Sequence, residues 1–88
     1  MEASTSNRKI GKITSPAEAE ARAREVIRKK HSGVRRIVFE SVKRAENLWF
    51  LEGKVSFVFV FTMVRNFRLN LNCENGEATF YEETRIKT

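Results

Sequence analysis

The sequence predicts an α+β domain in which one N-terminal helix packs on a four-stranded antiparallel β-meander, in the order α-β-β-β-β. Three observations predict it. Ser15-Pro16-Ala17-Glu18 reads as a helix start, with Ser15 as N-cap, Pro16 at the first helical position and Glu18 completing a Ser-x-x-Glu capping box. Leu48 to Val64 (LWFLEGKVSFVFVFTMV) is the one long apolar run, and its odd positions form an almost wholly apolar face, as a strand over a core requires. Asn75-Gly76 stands between two alternating stretches, which is the strongest short-range signal for a β-hairpin.

Residues 1–13 are polar, contain Arg8, Lys9 and Lys12, and read as a disordered basic arm ahead of a single domain spanning 14–84. The helix runs from Pro16 to about His31. Glu18 with Arg22, Glu20 with Arg24 and Glu25 with Lys29 are acid-before-base pairs one turn apart, and Gly33 is the expected stop. Its apolar side, Ala19, Ala23, Val26 and Ile27, is small, so the helix can lie close to a sheet whose phenylalanines supply the bulk.

Val34 to Arg44 is the first strand. A three-residue loop, Ala45 to Asn47, places Phe39 opposite Gly53 and Ile37 opposite Val55; a two-residue loop pairs Val42 with Trp49, and the first keeps apolar faces together. The long run then forms the second strand, with Phe59, Phe61 and Met63 inward and a turn near Met63 to Asn66. Phe67 to Glu74 forms the third. A two-residue type I′ loop at Asn75-Gly76 sets Leu71 against Phe80, Asn70 against Tyr81 and Arg68 against Glu83, and residues 85–88 form a frayed tail.

This order of elements, the Trp49 to Gly53 segment (WFLEG) and the closing hairpin (LNLNCENGEATFYEE) resemble the small cystatin-like α+β domains, most of all the PepSY-type module. The resemblance covers Pro16 to Glu83. It implies a cystatin-like fold and a role in binding or inhibiting proteins; such modules are commonly extracytoplasmic.

Composition narrows the function classes. The chain has 88 residues, one cysteine (Cys73), one histidine (His31) and a net charge of +6. A lone cysteine forms no internal bridge, the polar N-terminus holds no apolar signal core, and Glu52, Gly53 and Lys54 interrupt the apolar run before it reaches membrane-helix length. A cytoplasmic protein with no membrane association, no cofactor and no metal is expected. His31 has no second ligand at metal spacing, the glycines are isolated, and no small-molecule substrate is evident, so catalysis is not expected.

Two surfaces remain as candidates. The outer face of the sheet is expected to display Phe50, Val58, Val60, Val64 and Tyr81, an apolar patch suited to homodimerisation or a protein partner. The alternative is sequence-indifferent nucleic-acid binding, in which Arg28, Lys29, Lys30, Arg35 and Arg36 at the helix-to-strand turn, with Lys54 and Arg68 on the sheet, hold phosphates.

Overall fold

A computed structural model describes residues 11–86. Helix α1 (Pro16–Lys30) is followed by β1 (Val34–Ala45), β2 (Leu48–Phe59), β3 (Phe61–Asn72) and β4 (Ala78–Arg85), and the strands form one antiparallel sheet in sequence order. The expected α+β class and meander are both present. Most of the basic arm lies outside the described residues, as do residues 87–88. Ile13, expected in that arm, is instead in the core, and Arg85, expected in the tail, ends β4.

The helix begins where its capping chemistry dictates. Ser15 is extended and its Oγ accepts from the Glu18 amide at 3.2 Å. Glu18 Oε1 reaches one residue further back than a regular capping box, accepting from the amide of Thr14 at 2.7 Å and from its hydroxyl at 3.0 Å. These two bonds, the backbone one foremost, hold the Glu18 carboxyl below its ordinary range. Glu20 pairs with Arg24 at 3.8 Å, whereas Arg22 turns from Glu18 to Glu25 (2.9 Å) and donates to the Gly76 carbonyl at 2.7 Å.

Helix α1 stops because His31 is extended, its N–H still reaching the Ile27 carbonyl at 3.3 Å. Gly33 serves a different purpose from the expected C-cap. A Cβ there would stand 2.7 Å from the Val58 carbonyl oxygen, and the Gly33 carbonyl accepts from Val58 N at 2.9 Å, so only glycine lets the two backbones meet.

The first hairpin carries the expected pairs, Phe39 with Gly53 and Ile37 with Val55. Its turn is tighter than expected: Ala45 already pairs with Leu48, Glu46 takes φ 56°, and an irregularity between Phe39 and Ser41 restores the register. Gly53 permits that irregularity, since a Cβ would lie 1.9 Å from the Val38 carbonyl oxygen.

Two expectations about turns are overturned. The long second strand does not continue to Met63; it reverses at Val60, whose φ is 69°, and Phe59 pairs with Phe61. A 17-residue strand would run about 56 Å at the usual rise, which exceeds the 47 Å longest dimension of the fold. The Asn75-Gly76 turn is also not a two-residue loop. Only Gly76 has positive φ (74°) there, so a type I′ turn is not formed.

Side chains shape that wider loop. Asn72 Oδ1 accepts from the amides of Glu74 (2.7 Å) and Asn75 (3.4 Å), and Asn75 Oδ1 accepts from Glu77 N at 2.9 Å. Leu69 therefore pairs with Tyr81 and Asn70 with Phe80, one residue away from the expected register. Such a slip exchanges faces. Tyr81 and Glu83 turn toward the helix, while Phe80 and Glu82 face out.

The core lies between α1 and the inner face of β2 and β3. Ala19, Ala23, Val26 and Ile27 meet Trp49, Leu51, Val55, Phe57, Phe67, Leu69, Leu71 and Cys73, with Ile13 closing one end. Trp49 Nε1 donates to the Ile13 carbonyl at 3.0 Å, and Ile13 N donates to the Cys73 carbonyl at 2.8 Å.

Candidate interaction surface

The strands outrun everything that covers them. A 15-residue helix is about 22 Å long and a 12-residue strand about 40 Å, so α1 shields only part of the sheet. The helix starts beside Gly76 and Cys73 and ends where His31 stacks on Phe57, ring centroids 3.9 Å apart. Past Phe57, β1 has ended at Val34; past Arg65, β4 has ended at Arg85. Among the described residues, 58–64 thus form a two-stranded extension with no helix above it and no strand beside it, touched at Val58 by the α1–β1 loop through Gly33.

That extension is apolar. Phe59, Val60 and Phe61 are 72, 81 and 76% exposed, and Val58 and Val64 follow on the outer face at 37 and 44%. Val60 forms the apex although it is β-branched and held at positive φ, a conformation unfavourable for any non-glycine residue and worst for a branched one. Phe59 and Phe61, expected in the core, are in fact the most exposed aromatic side chains among the described residues.

The rest of the outer face is not the continuous valine stripe that alternation suggests. Lys54 binds Glu40 at 2.6 Å, and Arg68 lies between Glu52 (3.5 Å) and Glu82 (3.9 Å), forming a charged belt across the middle. Phe50 and Phe80 sit beyond that belt on either side of Asn70, and Val60 belongs to the turn instead. Tyr81 leaves this face altogether: it is half-buried against the core, its hydroxyl donates to Glu83 Oε2, and burial with that carboxylate pushes its pKa far up. His31 Nε2 meets the same Glu83 oxygen at 2.5 Å, tying the end of α1 to β4.

The basic residues divide by position. Lys54 and Arg68, two of the proposed phosphate ligands, are already neutralised by carboxylates. By contrast Arg28, Lys29, Lys30, Arg35 and Arg36 are exposed and make no salt bridge among the described residues. Arg65 and Arg85, paired across β3 and β4, join them without a carboxylate partner among those residues. All seven stand at the hairpin end: Val34 pairs with Phe57, Arg36 with Ser56 and Arg65 with Val55. Segments 26–39 and 53–73 contain no Asp or Glu, whereas Glu18, Glu46, Glu74 and Glu77 gather at the opposite end. An open depression of about 370 Å³ beside the tip is lined by Phe61, Met63, Val64, Arg65, Arg85 and Ile86.

Phe59, Phe61 and Phe80, expected inward, are surface residues, and Arg65 and Arg85, expected in a turn and in the tail, join the candidate site. A strand of 17 residues is itself a warning, because strands usually span 3–10, and a hidden reversal within Leu48–Val64 would have exposed the tip. Among the described residues no cluster of His, Cys, Asp or Glu is arranged to hold a metal, and no helix is long and apolar enough to cross a membrane. No protein-family model matches the chain, and no curated protein or solved structure matches it.

Proposed function

We propose that the protein is a non-catalytic interaction module, working in the cytoplasm, that docks through the hairpin end of its sheet. The observation that carries this reading is the run Phe59-Val60-Phe61, exposed over about three quarters of its surface on a strained turn. Apolar patches of this kind mark association surfaces, and strain retained at an exposed apex is characteristic of functional sites. The outer-face residues Val58 and Val64 extend the patch, and Phe50 is separated from it by the charged belt.

A second copy of the chain is a poor occupant, because a tip-to-tip dimer would bring two sets of seven cations together. An acidic partner is a good one. Nucleic-acid binding is the second reading, favoured by the unpaired cations from Arg28 to Arg36; replacing Arg28, Lys29 and Lys30 by Gln would then abolish a mobility shift seen at about 50 mM salt.

The test is a photo-crosslinking amino acid placed in living cells either at position 60 or at position 46 in the opposite turn. Adducts to protein, nucleic acid or lipid are expected from position 60 and not from 46. Equal labelling from both, or none from position 60, would overturn the reading.

A further inference from the structure

Resting on that reading, we infer that the surface this hairpin docks against is an anionic lipid bilayer, with Phe59, Val60 and Phe61 inserted among the acyl chains and the surrounding cations on the headgroups. Three features of the pole fit such a surface together. Among the described residues the tip protrudes past both neighbouring strands and the helix, so it can enter a flat layer that the rest of the sheet cannot. It offers apolar groups at the apex and cations only behind it, which is the order in which a bilayer presents hydrocarbon and phosphate. The cations flank it on every side: Arg35 and Arg36 from β1, Lys29 and Lys30 from the end of α1, Arg65 and Arg85 from β3 and β4.

Peripheral membrane attachment needs two signals at once, an apolar anchor and a basic patch. Each is insufficient alone. Headgroup attraction accumulates with each Lys or Arg close to an anionic surface and decays within a Debye length, and the seven cations without a carboxylate partner among the described residues lie at the tip's end of the fold, Lys30 over Tyr81 and Arg65 over Phe57. Arg65 opposite Arg85 is informative in itself, since like charges paired across strands repel. A lipid phosphate beside the depression they share with Ile86 and Phe61 would relieve that repulsion. A nucleic-acid surface accounts for the cations and for the rings of Phe59 and Phe61, which bases can stack on, but leaves Val60, the apex, without a stacking role.

The experiment is co-sedimentation of the whole chain with vesicles of phosphatidylcholine alone or containing about 30% phosphatidylglycerol, a strongly anionic surface. Binding is expected to rise at least about tenfold with the anionic lipid and to fall at about 0.5 M salt, where the Debye length is short. The double variant Phe59→Ser, Phe61→Ser and the double variant Arg65→Gln, Arg85→Gln should each lose most of it. Both alter exposed or half-exposed positions, and an unchanged melting temperature verifies that each is folded. As a second readout, Val60→Trp should give a blue-shifted emission on the anionic vesicles only. Absence of vesicle binding by the folded wild-type protein overturns the lipid inference, and so does binding that survives both double variants. If position 60 crosslinks to protein or RNA while vesicles are ignored, the docking hairpin stands and its partner is that macromolecule; if neither occurs, both readings fall.

Discussion

Val60 carries the clearest local cost in the molecule. A branched residue at φ 69° gives up roughly 1 to 2 kcal/mol relative to a residue free to adopt that region, and glycine is that residue, at some cost in chain entropy. Val60→Gly should therefore raise stability by about 0.5 to 1 kcal/mol in urea denaturation while reducing crosslinking or vesicle binding by the tip. A loss of stability would mean that the valine side chain supports the turn. Tyr81 makes the opposite kind of statement. Its raised pKa means that between the ordinary phenol value of 10.0 and the folded value the native state keeps a proton that the unfolded chain releases. Stability should be full below pH 10 and fall as pH rises above it, with phenolate absorbance appearing only on unfolding. Tyr81→Phe should flatten that alkaline limb.

At the scale of elements, the two hairpin corrections have opposite causes. The helix was legible because its signals are local: a cap, a proline, and charges in the order the dipole favours, all within one turn of each end. The pairing of Phe39 with Gly53 was legible because it matches apolar faces. The reversal at Val60 was not, since none of Gly, Pro, Asn or Asp marks it and the residues around it have the highest strand propensity in the chain. The last hairpin misled for the converse reason. Asn75-Gly76 signals a tight turn, but the carbonyls of Asn72 and Asn75 recruit amides two and three residues on and widen it, a competition between side chain and backbone that the dipeptide alone does not reveal. That single slip moved Tyr81 off the expected site and put Phe80 on the surface. Gly53 offers a test at this scale. With the Val38 carbonyl 1.9 Å from where a Cβ would be, Gly53→Ala should push β1 and β2 apart and cost about 3 kcal/mol or more in thermal or chemical unfolding. A neutral result would show that the irregularity at Glu40 relaxes freely.

Among the described residues, the bare hairpin and the segments free of Asp and Glu lie at one end of the 47 Å axis, and Glu18, Glu46, Glu74 and Glu77 with the lock between Ile13 and Cys73 at the other, where Lys12, Lys43 and Arg44 also stand. The candidate site follows from that sorting. Its cations were legible from composition, and its aromatic residues were not, because their exposure depends on how far the sheet outreaches a short helix. The other end holds the protein's single tryptophan, 4% exposed and hydrogen-bonded to the backbone just ahead of the helix. Its intrinsic fluorescence is thus a built-in gauge of whether the segment before α1 is seated, read at the pole furthest from the docking tip. Ligands of the hairpin should leave that signal still, so a change in Trp49 emission on binding would mean that the two ends of the sheet are mechanically joined.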